Sequence, residues 1–255
     1  MISIREVTNN VDFTGKIALI TGAAVGIGRA TALLMAERGA DLVLLDVNEQ
    51  KLAAVKEECE KFAHRVEIFA CDVSDEAEVG KTLAEAIERF GRIDVLVNNA
   101  ALWRSFTPFL ELSTDEWHRF FNINVFGTVF VTRAVLPCMV AQNWGRVINV
   151  ASVAGVYGNA KMSHYSATKG AVISLTKALA KEMATCGVTV NAISPGTVTS
   201  STNEDVDAVT PNELNYMGRT GSDRENAELI CYLASDAAAY ISGQNIQIDG
   251  CRKKM

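Results

Sequence analysis

The sequence predicts an α/β fold, a doubly wound parallel sheet of about seven strands with helices on both faces. Three observations lead to this prediction. Short runs rich in Val, Ile and Leu, typical of strands buried on both faces, recur along the whole chain. Longer segments with the apolar spacing of amphipathic helices separate them, and this alternation is typical of parallel sheets. The 255 residues, 49 % hydrophobic and 21 % charged, are also enough for a large core.

The first half of the chain holds four of the expected strands. They lie at residues 17–21, 41–46, 66–72 and 93–100. Helices are expected between them, over residues 26–39, 48–63 and 75–91. Each strand is thus followed by a helix long enough to cross back over the sheet, as parallel strands require.

The second half continues this order. Ser113 with Glu116, and Ser222 with Glu225, have the spacing of capping boxes that begin helices. Strands are expected at 145–152, 187–194 and 244–249, and a helix spans 165–185. Residues 197–217 are polar and aperiodic, and a loop this long is usually functional, so we expect a substrate lid there. No linker interrupts the pattern, and we expect a single domain over residues 1–255.

Net charge, cysteine spacing and apolar run length argue against nucleic acid, a metal site and a membrane. The net charge of −6 disfavours nucleic acid. Six scattered cysteines without a CxxC pair indicate reduced thiols in a cytoplasmic protein, and we expect no metal site. The N-terminus lacks the apolar stretch of a signal peptide, and no apolar run is expected to reach the roughly 18 residues of a membrane span, so no membrane is expected.

A glycine-rich stretch after the first strand predicts a nucleotide site. "TGAAVGIG" places Gly22, Gly26 and Gly28 where the chain turns into a helix, whose N-terminal N–H groups can bind a pyrophosphate. Asp46 ends the second strand, where a carboxylate accepts hydrogen bonds from ribose hydroxyls and repels a 2′-phosphate. No basic residue follows it directly. These residues favour NAD(H) over NADP(H).

Tyr165 and Lys169 stand one helical turn apart and therefore share a helix face. By itself, such a pair usually lies on the protein surface and has no catalytic role. Here, however, the pair forms the ends of "YSATK", and the chain also contains "TGAAVGIG", "NNA" at 98–100 and "PGTV" at 195–198. These four motifs have the order and spacing of the short-chain dehydrogenase/reductase family, which the chain resembles over nearly its whole length. The resemblance implies a Rossmann-type fold and hydride exchange between a nicotinamide and an alcohol or ketone.

The resemblance also implies roles for individual residues. Tyr165 would be the general acid and base, Ser152 would bind the substrate oxygen, Asn124 would complete a proton relay, and Lys169 would hold the nicotinamide ribose. The lysine ammonium, with a nicotinium ring nearby in the oxidised complex, is expected to lower the pKa of Tyr165. The further positions that the resemblance assigns to the cofactor are Ile27, Asp72, Val73, Asn98 and Val198.

Three positions depart from the family pattern. Ala101 stands where Gly is usual, Ala151 replaces a frequent Ser, and Cys251 replaces the second Gly of a "DGG" sequence. None removes a catalytic group, and Ala101 would matter only if its backbone needed a positive φ.

The substrate class is predicted from residues that resemble the family's substrate-pocket positions. Trp103, Val153, Tyr157 and Met162 resemble substrate-pocket positions and would form a largely apolar wall, which suits a hydroxysteroid or another bulky alcohol. The alternative is a 3-oxoacyl-thioester (acyl-carrier-protein) reductase, a branch that usually takes NADPH and has basic residues where this chain has Asn143 and Cys186. A non-catalytic nucleotide-binding regulator stays open as another class. The family is mostly tetrameric, so a homotetramer is expected.

Overall fold

A single parallel sheet organises the chain. The computed structural model describes residues 11–62, 65–199 and 205–253, and in these residues seven strands form one sheet in the order β3-β2-β1-β4-β5-β6-β7. All neighbouring strands are parallel. The strands are β1 Ile17–Thr21, β2 Asp41–Asp46, β3 Val66–Ala70, β4 Val95–Asn98, β5 Gly145–Val150, β6 Val188–Pro195 and β7 Asn245–Ile248. The predicted α/β architecture is confirmed.

Helices cover both faces of the sheet. They are α1 Gly26–Glu37, α2 Glu49–Cys59, α3 Glu76–Phe90, α4 Thr114–Phe121, α5 Gly127–Ala141, α6 Val153–Tyr157, α7 Ser163–Met183 and α8 Asp223–Ala234. Short 3₁₀ turns lie at Glu60–Phe62, Phe109–Glu111, Ala184–Cys186 and Asp236–Ala238. Ser222 forms the complete predicted capping box with Glu225, whereas at α4 the Ser113 hydroxyl accepts the Glu116 N–H.

Successive residues of each central strand face opposite sides of the sheet, so two apolar cores result. Ala18 and Ile20 of β1 pack with α1 and α8 on one side. Ile17 and Leu19 pack with α3 and α5 on the other. Because both faces are covered, the central strands β1, β2 and β4 are mainly apolar, which explains why their sequence shows runs rather than alternation.

Some predicted boundaries move or fall outside the structure. The predicted strands at 66–72, 93–100 and 145–152 end earlier, because their last residues form the loops at the carboxyl edge of the sheet. Residue 63, the end of the second predicted helix, and residues 200–204 of the predicted lid lie outside the described residues. Ala101 does not have a positive φ, so that departure needs no special backbone, whereas Cys251 does, with φ of 60°.

Among the residues that the structure describes, one continuous helical segment, Thr114–Ala141, is long and apolar enough by length and composition to cross a membrane. It comprises α4, a π-helical turn and α5, and it contains Arg133. By length and composition alone, the expectation that no apolar run is long enough to span is therefore not met. The segment packs against α3 and α7, as core helices of globular proteins do, and is weak evidence for a span.

Candidate active site

A cleft of about 990 Å³ opens at the carboxyl ends of the strands. The strand order reverses between β1 and β4, because the chain leaves β1 towards β2 on one side and returns to β4 on the other. Ligands of doubly wound sheets bind at this reversal, outside the carboxyl ends. The predicted site residues are therefore expected to line this cleft.

The glycine loop forms one wall of the cleft. Gly22 and Gly26 have positive φ values of 63° and 60°, which favour glycine. A Cβ on Gly28 would lie 2.1 Å from the Gly22 carbonyl oxygen, so only glycine permits this close packing of α1 on the loop. Val25 precedes α1 and offers no side-chain cap. The first N–H groups of α1 are thus left for an anion beside Gly26 and Ile27, which line the cleft.

Two carboxylates follow the ends of neighbouring strands. Asp46 lines the cleft and accepts hydrogen bonds from the backbone N–H groups of Ala24, at 3.1 Å, and Asn48, at 2.9 Å. The first of these bonds ties the end of β2 to the glycine loop. Asp72 is exposed, accepts from the N–H and hydroxyl of Ser74, and borders the cleft with Val73. Both carboxylates lie where a dinucleotide's adenosine half would be bound.

The two asparagines of "NNA" point in different directions. Asn98, the predicted contact, is buried and donates to Thr132 Oγ1 and Asn149 Oδ1, both at 2.9 Å, inside the sheet. It does not line the cleft. Asn99 does line it and donates through Nδ2 to the carbonyl oxygens of Thr21 and Gly22. No pattern in the sequence indicates that the second asparagine, rather than the first, supports the glycine loop.

Ser152, Tyr165 and Lys169 meet in the cleft. Ser152 caps α6, its Oγ accepting the Ala154 N–H at 3.1 Å, and its side chain is hydrogen-bonded to the Tyr165 phenol. Lys169 is buried, and its Nζ donates to the Val150 carbonyl oxygen at 2.7 Å while lying 5.9 Å from the centroid of the Tyr165 ring. The carboxyl end of β5 therefore positions both the serine and the lysine.

Burial governs the titration of this group. It raises the pKa of the Tyr165 phenol above its ordinary value of 10, and the hydrogen bond with Ser152 only partly opposes this. Burial also lowers the pKa of the Lys169 ammonium to about 8. In this structure desolvation therefore dominates the pKa of Tyr165. The expected lowering concerns the oxidised complex, in which the lysine ammonium and a nicotinium ring both lie near the phenol, and it stays a prediction.

Asn124 is held behind the lysine by an irregular helix. It lies in the π-helical turn Asn122–Phe126 between α4 and α5, and such turns are frequent at functional sites. Its Oδ1 accepts the Leu102 N–H at 2.8 Å, and its Nδ2 donates to the Leu102 carbonyl oxygen and to Thr168 Oγ1. The side chain therefore joins the loop after β4 to the residue that precedes Lys169.

The predicted substrate wall is only partly assembled. Trp103, Val153 and Met162 line the cleft, and so does Val198. Tyr157 does not; it is half exposed, and its hydroxyl donates to Gln247 Oε1 at 2.6 Å. The lining also includes residues that the sequence did not single out, among them Asn159, Leu214, Asp223 and Arg252.

Asp223, the first residue of α8, is a buried carboxyl group at the edge of the cleft. Burial raises its pKa to about 6, although Arg29 opposes this. Because the folded pKa exceeds the unfolded value of 3.8, the folded state carries a cost above pH 6 that disappears as the pH falls towards 3.8.

Asp223→Asn is therefore expected to raise the free energy of unfolding at pH 7.5 by roughly 1–3 kcal/mol and to give no gain at pH 4. Urea denaturation at the two pH values measures this. Asp207→Asn, at an exposed loop position, is the matched control and should change stability by less than about 0.5 kcal/mol. An equal gain at both pH values would contradict the assignment.

Comparisons with known proteins agree with this geometry. Residues 16–210 match the family model described as short chain dehydrogenase. The 3-oxoacyl-[acyl-carrier-protein] reductase of Thermotoga maritima is 38 % identical over 92 % of this chain and 97 % of its own length. The 2-dehydro-3-deoxy-L-rhamnonate dehydrogenase (NAD(+)) of a Sphingomonas species is 33 % identical over 94 % of this chain and 96 % of its own.

A solved structure of NAD⁺-bound xylitol dehydrogenase superposes with a TM-score of 0.87, at 33 % identity, covering 93 % of this chain and 99 % of that one. The glycine loop, the uncapped start of α1 and the two carboxylates beside them fit the nicotinamide cofactor of such enzymes. The chain belongs to the short-chain dehydrogenase/reductase family, whose members are nicotinamide-dependent oxidoreductases acting on CH–OH groups.

Proposed function

We propose that this protein interconverts a secondary alcohol and a ketone with NAD(H). The observation that carries the proposal is the meeting of Ser152, Tyr165 and Lys169 in one cleft with the glycine loop and Asp46. A nicotinamide dinucleotide bound along the carboxyl edge of the sheet would supply or accept the hydride. The protein's own residues then need only orient the substrate and move one proton.

Tyr165 is the proton donor in the reductive direction. Its raised pKa keeps the phenol protonated at neutral pH, which is the form that can protonate a carbonyl oxygen. Ser152, hydrogen-bonded to that phenol, binds the same oxygen. The Lys169 ammonium supports the tyrosinate that forms, and the Asn124–Thr168 contact positions the helix turn that carries the lysine. In oxidation the proton moves the other way.

Asp46 supports NAD(H) as the cofactor. Its carboxylate is fixed by the Ala24 and Asn48 N–H groups, and both oxygens retain capacity to accept ribose hydroxyls. A 2′-phosphate placed there would meet a like charge. The rhamnonate dehydrogenase and the xylitol dehydrogenase described above are both named with NAD, which agrees with this preference.

A 3-oxoacyl thioester is the substrate class that the relatives favour. Relatives named 3-oxoacyl-[acyl-carrier-protein] reductase reach 36–40 % identity over more than nine-tenths of this chain. The hydroxysteroid substrate expected from the sequence is supported only by the apolar side chains of Trp103, Val153 and Met162 in the cleft. Uncharged Asn143 and Cys186, at the start of β5 and β6, do not support docking of an acidic carrier there.

The test is a spectrophotometric assay of NADH or NADPH oxidation with acetoacetyl thioester and a 3-ketosteroid in parallel. We expect turnover of the thioester with NADH and little with NADPH. Asp46→Asn should narrow the NADH preference about tenfold or more, because it removes the repelling charge. Faster turnover with NADPH than with NADH by the unmodified protein would contradict the cofactor assignment, and turnover of the steroid alone would contradict the substrate class.

We also propose a homotetramer built on α5 and α7. Phe126 is about half exposed and stacks on Phe130 at a centroid distance of 5.9 Å, while Ala171 and Leu175 are partly exposed on α7. Exposed aromatic pairs of this kind favour a subunit contact over a solvated face. A mass near one subunit by light scattering would refute the assembly.

A further inference from the structure

Arg252 places a cationic side chain at the substrate end of the cleft. It lines the cleft together with Asn159, Met162 and Leu214. Its Nη2 donates to Asn159 Oδ1 at 3.2 Å, and the Asn159 backbone N–H donates in turn to Ser166 Oγ at 3.1 Å. Ser166 directly follows Tyr165. A short chain of hydrogen bonds therefore links the guanidinium to the helix that carries the proposed proton donor.

The backbone around Arg252 is fixed by pairing with the segment 214–217. The Tyr216 N–H donates to the Cys251 carbonyl oxygen at 3.0 Å, and the Lys253 N–H donates to the Leu214 carbonyl oxygen at 2.9 Å. Arg252 itself is paired with Asn215. The arginine is thus held between the chain end and a loop that borders the cleft, and it is half-buried rather than free in solvent.

The guanidinium retains donors for a ligand. It has five N–H groups, of which the bond to Asn159 uses one. Within the part of the chain that the structure describes, no carboxylate forms an ion pair with Arg252. Asp249, the nearest carboxylate in sequence, accepts the backbone N–H groups of Cys251 and Arg252 and so belongs to the turn.

Arg119, which also borders the cleft, differs from Arg252 in its exposure and in its pairing with a carboxylate. Arg119 lies on α4, its side chain is 62 % exposed, and its Nη1 is 3.7 Å from Glu116 Oε2. A cation that is solvated and already paired contributes little to ligand affinity. Arg252 is therefore the better candidate for recognising charge in the cleft.

We propose that Arg252 binds an anionic group of the substrate, a carboxylate or a phosphate, while Ser152 and Tyr165 hold the reacting oxygen. The inference rests on the proposed function, because it assigns one end of the same substrate. A planar, forked guanidinium suits two oxygens of either anion. A carboxylate would belong to a free oxo acid, whereas a phosphate would belong to a thioester's pantetheine arm.

The test measures binding rather than turnover. Protein saturated with NAD⁺ is titrated calorimetrically with two matched pairs: acetoacetate against methyl acetoacetate, and acetoacetyl-pantetheine with and without its 4′-phosphate. We expect at least one anion to bind about tenfold or more tighter than its neutral partner. The pair that shows the difference identifies the source of the anion.

Four variants assign the effect. Arg252→Gln should abolish the preference for the anion, and Arg252→Lys should keep part of it. Lys253→Gln removes the same charge next in sequence, at an exposed residue outside the cleft, and should keep the whole preference. No preference in the unmodified protein, a preference that survives in Arg252→Gln, or one lost in Arg119→Gln instead would overturn the proposal. Failure of NAD⁺ to bind in the first titration would refute the proposed function itself.

Discussion

Tyr165→Phe is expected to lower kcat/KM for ketone reduction roughly 10²–10⁴-fold while NADH binds as tightly as before. The variant removes one hydroxyl and keeps the ring, so its packing against Phe120, at a centroid distance of 6.5 Å, is retained. What is lost is the proton donor and the hydrogen bond with Ser152. Steady-state kinetics together with quenching of NADH fluorescence separate the two effects.

The matched control is Tyr240→Phe, which removes a hydroxyl from a fully exposed side chain. It should leave both quantities unchanged. Ser152→Ala should reduce turnover in the same direction as Tyr165→Phe, because the serine shares the proposed substrate oxygen. Normal turnover in Tyr165→Phe would show that another group donates the proton, and the proposed mechanism would then be wrong.

Lys169→Met is expected to inactivate the protein and at the same time stabilise it. Burial lowers the pKa of Lys169 to about 8, whereas the unfolded side chain titrates near 10.5. The folded state therefore carries a cost of up to about 3 kcal/mol below pH 8, which vanishes as the pH rises towards 10.5. Loss of the hydrogen bond to the Val150 carbonyl oxygen offsets about 1 kcal/mol of the gain.

The expected net result at pH 7 is a rise of roughly 1–2 kcal/mol in the free energy of unfolding, and a loss of activity of about 100-fold or more. Urea denaturation at pH 7 and at pH 9.5 checks the first part, because the gain should shrink at the higher pH. Lys177→Met, at an exposed position of the same helix, should change neither stability nor activity appreciably. Destabilisation by Lys169→Met at pH 7 would contradict the assigned cost.

The periodicity of the sequence predicted most of the fold, for a simple physical reason. Strands buried on both faces need runs of apolar residues, and the helices that cover them need a single apolar stripe. Both requirements produce patterns that can be recognised in the sequence. The ends of the strands are harder to predict from the sequence, because a buried loop residue such as Cys71 is as apolar as a strand residue. The π-helical turn at Asn124 also produces no distinct sequence pattern, since it adds only one residue to an otherwise helical segment.

The site was predictable where backbone geometry demands particular residues. Glycine is required at Gly22 and Gly28, and Tyr165 and Lys169 share a helix face by spacing alone. The direction of the Tyr165 pKa shift was not predictable, because it depends on how much water the finished cleft excludes. The position of Arg252 depends on pairing between the chain end and the segment 214–217, which lie far apart in sequence and share no periodicity.

Direct detection of hydride transfer tests the central claim. Acetoacetyl thioester is incubated with NADH that carries deuterium at both C4 positions, and the alcohol product is examined by mass spectrometry. We predict one deuterium at the carbinol carbon, formed by the unmodified protein and greatly slowed in Tyr165→Phe. An alcohol product without deuterium at that carbon would contradict hydride transfer from NADH and, with it, the function proposed for this cleft.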